Sequence, residues 1–388
     1  VLKIVKPNYK DGSIVNLMAS ILRAYGCRSE YTPLPWLRPD ELRQYKNIVL
    51  MVLDGLGYEY LCMHKKGSFL FSHIRDKMTS VFPATTASAI TTFLTGVAPQ
   101  QHGITGWFMY LKELGVATTI LPFTPRYGGP SFGTKVINPR VIFDYQPIFD
   151  RVKAKAYYLC YQDYVDSDYT RAFSGKALRL EYRDLRSYFK RITDLVVDEK
   201  NDKLVYAYWP NLDTLIHMHG TRSTQATGHL KELEKGIEQL VKKTKGTNTI
   251  ILITADHGLV DSDDAHTIKV QDHPEFLQTL TVPVCGEPRV AYCYVHPARV
   301  QQFKDYVRDK FHDKCELHKA DDLIKQNYFG LHAPHPRLFD RIGDYVLSMK
   351  GNYVMRDFVL GERVFFLTGH HGGLSPDEML VPLIVLTV

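Results

Sequence analysis

Apolar residues in this chain gather into short, nearly unbroken runs, and between the runs the spacing becomes helical. The runs are KNIVLMVLDG (46–55), KAYYLCYQ (155–162), KLVYAYWPNLD (203–213), NTIILITADHG (248–258), RVFFLTGHHGG (363–373) and the closing VPLIVLTV (381–388). Each has the length and density of a strand buried on both faces. In SIVNLMASILRAYG (13–26) apolar side chains recur at Ile14, Leu17, Met18, Ile21 and Leu22, a stripe along one helix face closed by a glycine. In GHLKELEKGIEQLVKKTKG (228–246) the stripe is Leu230, Leu233, Ile237, Leu240 and Val241. Strands alternating with helices predict an α/β fold, a doubly wound and mostly parallel sheet with helices on both faces. Residues 263–362 break this style. RVAYCYVHP (289–297) reads as a strand, but the rest is rich in His, Asp and Pro and has no steady period. The expected organisation is a main domain of 1–262 and 363–388, with 263–362 as a smaller inserted α+β lobe near its functional site.

The polar residues that end the runs carry the chemistry. Asp54 ends the first, Asp213 and His217 come after the third, Asp256 and His257 after the fourth, and His370 and His371 after the fifth. An open α/β sheet places its ligand beyond the carboxyl ends of its strands. Taken singly, an aspartate there is more often a helix cap or turn former. Taken together, so many carboxylates and imidazoles at one sheet edge would repel and be poorly solvated unless a cation lay among them. Asp213 and His217 are one helical turn apart and share a face if a helix starts there. Nitrogen and carboxylate donors without thiolate favour zinc, with manganese or iron as alternatives, and their number favours two ions. Two neighbouring ions clamp both oxygens of an in-line phosphoryl displacement. A hydroxyl-rich segment, TSVFPATTASAITTFLTGVAPQQHGITG (79–106), offers a nucleophile where TTAS begins a helical pattern. A threonine there is commonly only a cap; beside a metal it becomes an available alkoxide.

Composition narrows the classes. The net charge of +6 is modest and its cations are scattered, the densest run being KKTK at 242–245. This predicts no stable nucleic acid binding and no membrane surface, and leaves a small anionic substrate compatible. The cysteines show no CxxC pairing, so reduced thiols are expected. No stretch has the length of a membrane span, the opening VLKIVKPNYK lacks a signal-peptide core, and a cytoplasmic location is expected. Oligomeric state has no signature. DGLGYEY is not a nucleotide loop, because the third glycine and the helix context are missing. Its Gly55 and Gly57 are expected to turn the backbone beside a metal.

The order VLDGLG, FPATTASAITTFLTGVAPQQHGITG, DTLIHMHG, TADHG, GHHGG resembles the alkaline phosphatase superfamily, and within it the type I phosphodiesterase/nucleotide pyrophosphatase branch. The resemblance runs from about Lys46 to the C-terminus, with 263–362 matching poorly. It implies an alkaline phosphatase-like fold and a phosphodiesterase or pyrophosphatase acting on small phosphate esters, nucleotide-type ones favoured. It implies that Asp54, Asp256 and His257, with the nucleophile, hold one zinc, and that Asp213, His217 and a histidine of GHHGG hold the other. His371 fits that motif better than His370. Thr86 falls at the family's nucleophilic threonine, which forms a covalent phosphothreonine; Thr85 and Ser88 are its rivals. The chain departs at Trp107, where related enzymes carry an asparagine that contacts a phosphate oxygen. Trp107, Phe108 and Tyr110 read either as a stacking slot for a planar group or, more often for such clusters, as packing. His102 is expected to order a turn. A phosphomonoesterase or phosphomutase on the same fold is the nearest alternative, and a zinc-stabilised binding protein without activity a more distant one.

Overall fold

The computed structural model describes residues 3–134, 137–198, 200–362 and 366–388. At its centre lies the strand Asn47–Leu53, buried along its whole length. It pairs in parallel with Lys203–Trp209 on one side and Thr249–Thr254 on the other. The sheet continues through Lys155–Tyr161 to Leu178–Tyr182 at one edge, and through Leu380–Thr387 to Ile74–Thr79 at the other. Among the described strands of this sheet, the closing one, Leu380–Thr387, runs opposite to the rest. The helices pack in two groups, Ile14–Ala24 on Thr86–Thr95 and Leu185–Val197 on Thr224–Lys243. This is the doubly wound, mostly parallel α/β architecture that the alternating pattern predicts.

Both expected helices form. Ile14–Ala24 is followed by Gly26 at φ +73°. The second starts at Thr224, earlier than its apolar stripe, because the Ser223 hydroxyl accepts from Ala226 N and caps it. The run at 363–373 departs from expectation. Residues 363–365 lie outside the described residues, and among those described Gly369–His370 pairs with Val260–Asp261 alone, as a two-stranded ribbon apart from the main sheet. Here the backbone is held by a helix end instead: Thr368 N donates to His217 O at 2.7 Å, and Gly369 packs against Ile216 with no room for a side chain. The edge strands Ile74–Thr79 and Leu178–Tyr182 carry exposed charges, so no apolar run announces them.

A second seven-stranded sheet is antiparallel, in the spatial order Cys315–Lys319, Tyr345–Met349, Val290–Cys293, Cys285–Glu287, Phe108–Leu111, Val116–Thr119, Thr124–Pro125. Three of its strands thus come from 108–125 and four from 285–349. Phe276, Phe303, Phe311 and Leu347 are among the residues of a core on this side. A buried ion pair ties the segments beside the two sheets: Arg289, in the turn between Cys285–Glu287 and Val290–Cys293, donates to both carboxylate oxygens of Glu378, in the helix Pro376–Met379 that leads into the closing strand, at 3.0 Å. All six cysteines are free thiols. No helix among the described residues is long and apolar enough to cross a membrane.

Candidate active site

The central strand and its two neighbours end together, Leu53 opposite Trp209 and Val52 opposite Thr254. The residues just past the three strand ends therefore converge. Asp54 N donates to Trp209 O at 2.9 Å, and Asp54 O accepts from Asp213 N at 3.1 Å. Asp213 stands in the first turn of the helix Asn211–His219, which carries His217 one turn on. Glycines let these turns meet. Gly55 has φ +78°, and a Cβ on it would lie 3.0 Å from the Asp213 Cα. Gly57 is not left-handed, as N-cap of the next helix; its role is close approach, since a Cβ there would fall 2.8 Å from Gly258 Cα.

Two triads result. Asp54, Asp256 and His257 bring one donor atom each within 4.8 Å of one another, and Asp213, His217 and His371 do the same. His257 Nε2 lies 3.4 Å from Asp54 Oδ1 and 3.5 Å from Asp256 Oδ2. His217 Nε2 lies 3.3 Å from Asp213 Oδ1. The His257 and His371 rings stack at 3.8 Å and link the triads. Two imidazoles are oriented from behind: His217 Nδ1–H donates to Gly369 O at 2.7 Å, and His257 Nδ1–H donates to Gly258 O at 3.1 Å. Each thereby turns an unprotonated Nε2 toward the carboxylates, the tautomer a metal requires.

The residues fit divalent cations. Asp54 Oδ1, Asp213 Oδ1, Asp256 Oδ2 and His371 Nδ1 are buried and have no hydrogen-bond partner, a costly state unless another ligand is bound. Burial, then the charges of Asp256 and Asp213, pushes the Asp54 carboxyl well above the usual carboxylate range, although Tyr208 donates to it. Burial also raises Asp213, against the pull of His217 and His257. Burial and the neighbouring imidazoles His257 and His217 hold His371 well below the usual range. A cation at each triad would reverse the two carboxyl shifts and reinforce the third, because it favours the ionised carboxylate and the neutral imidazole.

Thr86 is the first residue of the helix Thr86–Thr95, and its Oγ1 lies 3.1 Å from His257 Nε2. Neither rival makes a hydrogen bond to a triad residue. Thr85, at the N-cap, makes no capping bond; its hydroxyl donates to Glu287 Oε1 at 2.6 Å, and the same oxygen accepts from Trp107 N at 2.6 Å. Ser88 Oγ is buried without a partner. The helix start is thus left uncapped beside the triads, the geometry of an anion site. Burial pushes the Glu287 carboxyl up to about 7, against the hydrogen bonds from Thr85 and Trp107. His370 stays out of the triads: its Nε2–H donates to Leu367 O at 3.1 Å, and burial lowers its pKa to about 3. His102 orders a turn, with Nδ1 accepting from Ile104 N at 3.1 Å.

A cavity of about 790 Å³ opens on Thr86, Asp213, His217 and His371, and is walled by Trp107 and Phe108 among others. Tyr110 packs instead on Tyr294, ring centroids 5.3 Å apart. Sequence reasoning overlooked Tyr208 and Glu287, and also Glu378, which accepts from Gly373 N at 2.7 Å and so holds the GHHGG turn. No local signal marks them, because a tyrosine in an apolar run reads as core and an isolated glutamate as surface.

The family described as type I phosphodiesterase / nucleotide pyrophosphatase matches residues 48–373. Among solved structures, the chain is similar to murine ectonucleotide pyrophosphatase / phosphodiesterase 5, an inactive variant in complex with AMP, with a TM-score of 0.64 and 17% identity over 87% of each chain. It is also similar to the human ectonucleotide pyrophosphatase / phosphodiesterase 5, with a TM-score of 0.62 and 16% identity over 87% of each chain. Phosphonoacetate hydrolase from Sinorhizobium meliloti 1021, in complex with phosphonoacetate, gives a TM-score of 0.62 and 18% identity over 88% of this chain and 90% of that one. At such identities the structural likeness speaks for the fold. No curated protein matches the chain in sequence.

Proposed function

Because this chain belongs to the type I phosphodiesterase/nucleotide pyrophosphatase family, we propose that it is a two-zinc hydrolase that cleaves phosphodiester or pyrophosphate bonds, nucleotide-type substrates favoured, through a covalent phosphothreonine. That it is a phosphoester hydrolase of a metal-dependent family follows from membership; the metal, the intermediate and the substrate are the proposal. Asp54, Asp256 and His257, with Thr86, would hold one ion, and Asp213, His217 and His371 the other. Bound ions would supply the positive charge that lowers the pKa of the threonine hydroxyl and neutralises the leaving oxygen.

The chain's own groups do the rest. Thr86 Oγ1, its proton released to solvent, attacks phosphorus in line, and the ester oxygen departs from the opposite side. Water then attacks the same phosphorus, and the threonine oxygen leaves as the hydroxyl it was. The uncapped first turn of the helix Thr86–Thr95 aims backbone N–H groups at the phosphoryl oxygens, so positioning and charge, rather than proton shuttling, carry the barrier. His217 and His257 keep their orientation throughout, through the carbonyls of Gly369 and Gly258.

One observation carries this reading: the Thr86 hydroxyl lies 3.1 Å from His257, beside two triads in which Asp54 Oδ1, Asp213 Oδ1, Asp256 Oδ2 and His371 Nδ1 are buried without a hydrogen-bond partner. The murine relative supports it, since its AMP complex is of a threonine-to-alanine variant described as inactive. Turnover of bis-p-nitrophenyl phosphate by the zinc-loaded protein is the test. Thr86→Ala should lower kcat by at least about 1,000-fold at unchanged metal content. A folded, zinc-loaded Thr86→Ala protein with full activity refutes the nucleophile.

A further inference from the structure

Besides the triad residues, five charged side chains line the cavity above Thr86: Arg126, Glu287, Arg356, Asp357 and Glu362. Four are committed to the protein. Glu287 accepts from Thr85 Oγ1 and Trp107 N. Asp357 accepts from Gln271 Nε2 and Val284 N, both at 2.8 Å. Glu362 accepts from Arg126 Nε at 3.1 Å and Val359 N at 3.2 Å. Arg126 is spread over Glu362 and the carbonyls of Val284 and Asp357, with its guanidinium 4.0 Å above the Phe108 ring.

Arg356 is the exception. It ends the strand Val354–Arg356, anchored beside Glu287 by Met355 N donating to Pro288 O at 2.7 Å. Its side chain is half-buried and makes no hydrogen bond or ion pair among the described residues. Glu362 acts on it through space only, its hydrogen bonds going to Arg126 and Val359. A guanidinium that is partly desolvated yet unpaired sits in an unfavourable state that an arriving oxyanion relieves, and its planar fork matches carboxylate and phosphate alike. Lys could not replace it with the same two-point geometry.

We propose that Arg356 is a specificity-determining residue of this site and that the favoured substrate carries, besides the reacting phosphoryl group, a second oxyanion that the Arg356 guanidinium grips. This deepens the proposed hydrolase reading and rests on it. The second group is a carboxylate or a further phosphoryl, which share the fork-matching chemistry. Trp107, which lines the same cavity, covers the body of such a ligand with its indole.

Dissociation constants measured by calorimetry on the zinc-loaded protein test this, with methylphosphonate, phosphonoacetate and methylenediphosphonate as probes. The second or the third should bind about 10- to 100-fold more tightly than methylphosphonate, the range of one charge-assisted pair. Whichever ratio depends on Arg356 identifies the second group. In Arg356→Gln that ratio should fall to about 3 or less, and in Arg356→Lys to an intermediate value. The lysine variant keeps the charge and gives the answer should the glutamine variant fail to fold. A wild-type protein without preference overturns the assignment; so does a preference undiminished in Arg356→Gln, which would belong to the metals. These are binding ratios, read with or without turnover. Loss of the diester activity would refute the hydrolase proposal while leaving them to be judged separately.

Discussion

Glu287→Gln probes how the second sheet holds Thr85, the residue before Thr86. One oxygen, Oε1, accepts from both Thr85 and Trp107, so glutamine can present its own carbonyl oxygen to the same two donors and turn its amide toward the cavity. The variant therefore imitates the neutral acid. Burial lifts the native carboxyl from an ordinary 4.5 to about 7. Below pH 4.5 both folded and unfolded chains keep this proton, and the group contributes nothing pH-dependent. Between 4.5 and about 7 the unfolded chain loses the proton while the folded one retains it, so stability falls as pH rises. Above about 7 both states are ionised and the loss is complete, on the order of 3 kcal/mol. Glutamine has no such loss. Urea midpoints of both proteins, chelator-treated alike and measured from pH 4.5 to 8.5, should diverge steadily in favour of Glu287→Gln and run parallel above pH 7.5. A difference that stays flat across the range, or one that grows in favour of the native glutamate, refutes the claim that this carboxyl is desolvated and neutral beneath Thr85.

Arg289→Leu leaves the Glu378 carboxylate buried and unpaired, and should cost about 3–5 kcal/mol in a urea melt; Arg289→Leu combined with Glu378→Leu should recover part of that loss. Stripping divalent ions with a chelator should lower the melting temperature, since Asp54, Asp213 and Asp256 are then left facing one another in the interior. Zinc at about 1,000 times its dissociation constant should restore roughly 4 kcal/mol, and a melting temperature indifferent to chelation would refute the metal reading.

Much of the architecture was legible because the main sheet is covered on both sides. Full burial turns a strand such as Asn47–Leu53 into an unbroken apolar run, and the residue after it into the only polar group at that edge. That one fact made Asp54, Asp213, Asp256 and His257 readable together. The strands Ile74–Thr79 and Leu178–Tyr182 were silent because edges face water and alternate with charge. Choosing Thr86 over Thr85 and His371 over His370 required the motif resemblance, since periodicity treats adjacent residues alike; in the folded chain Thr85 and His370 hydrogen-bond to Glu287 and Leu367. Glu287 and Arg356 were invisible for a different reason. Glu287 meets Thr85 and Trp107 from 202 and 180 residues away in the chain, Arg356 lines a cavity whose wall also includes the distant Arg126 and Trp107, and no local pattern records such a meeting.

The diverted hydroxyl of Thr85 bears on how this protein could be re-engineered. A helix that begins without its own cap depends on an outside anchor, and here that anchor is a glutamate on a strand of the other sheet. Grafting a foreign sheet into that place would therefore also unfasten the residue next to Thr86. The second sheet and the start of this helix are mechanically tied, and a transplant that succeeds must carry its own acceptor for Thr85.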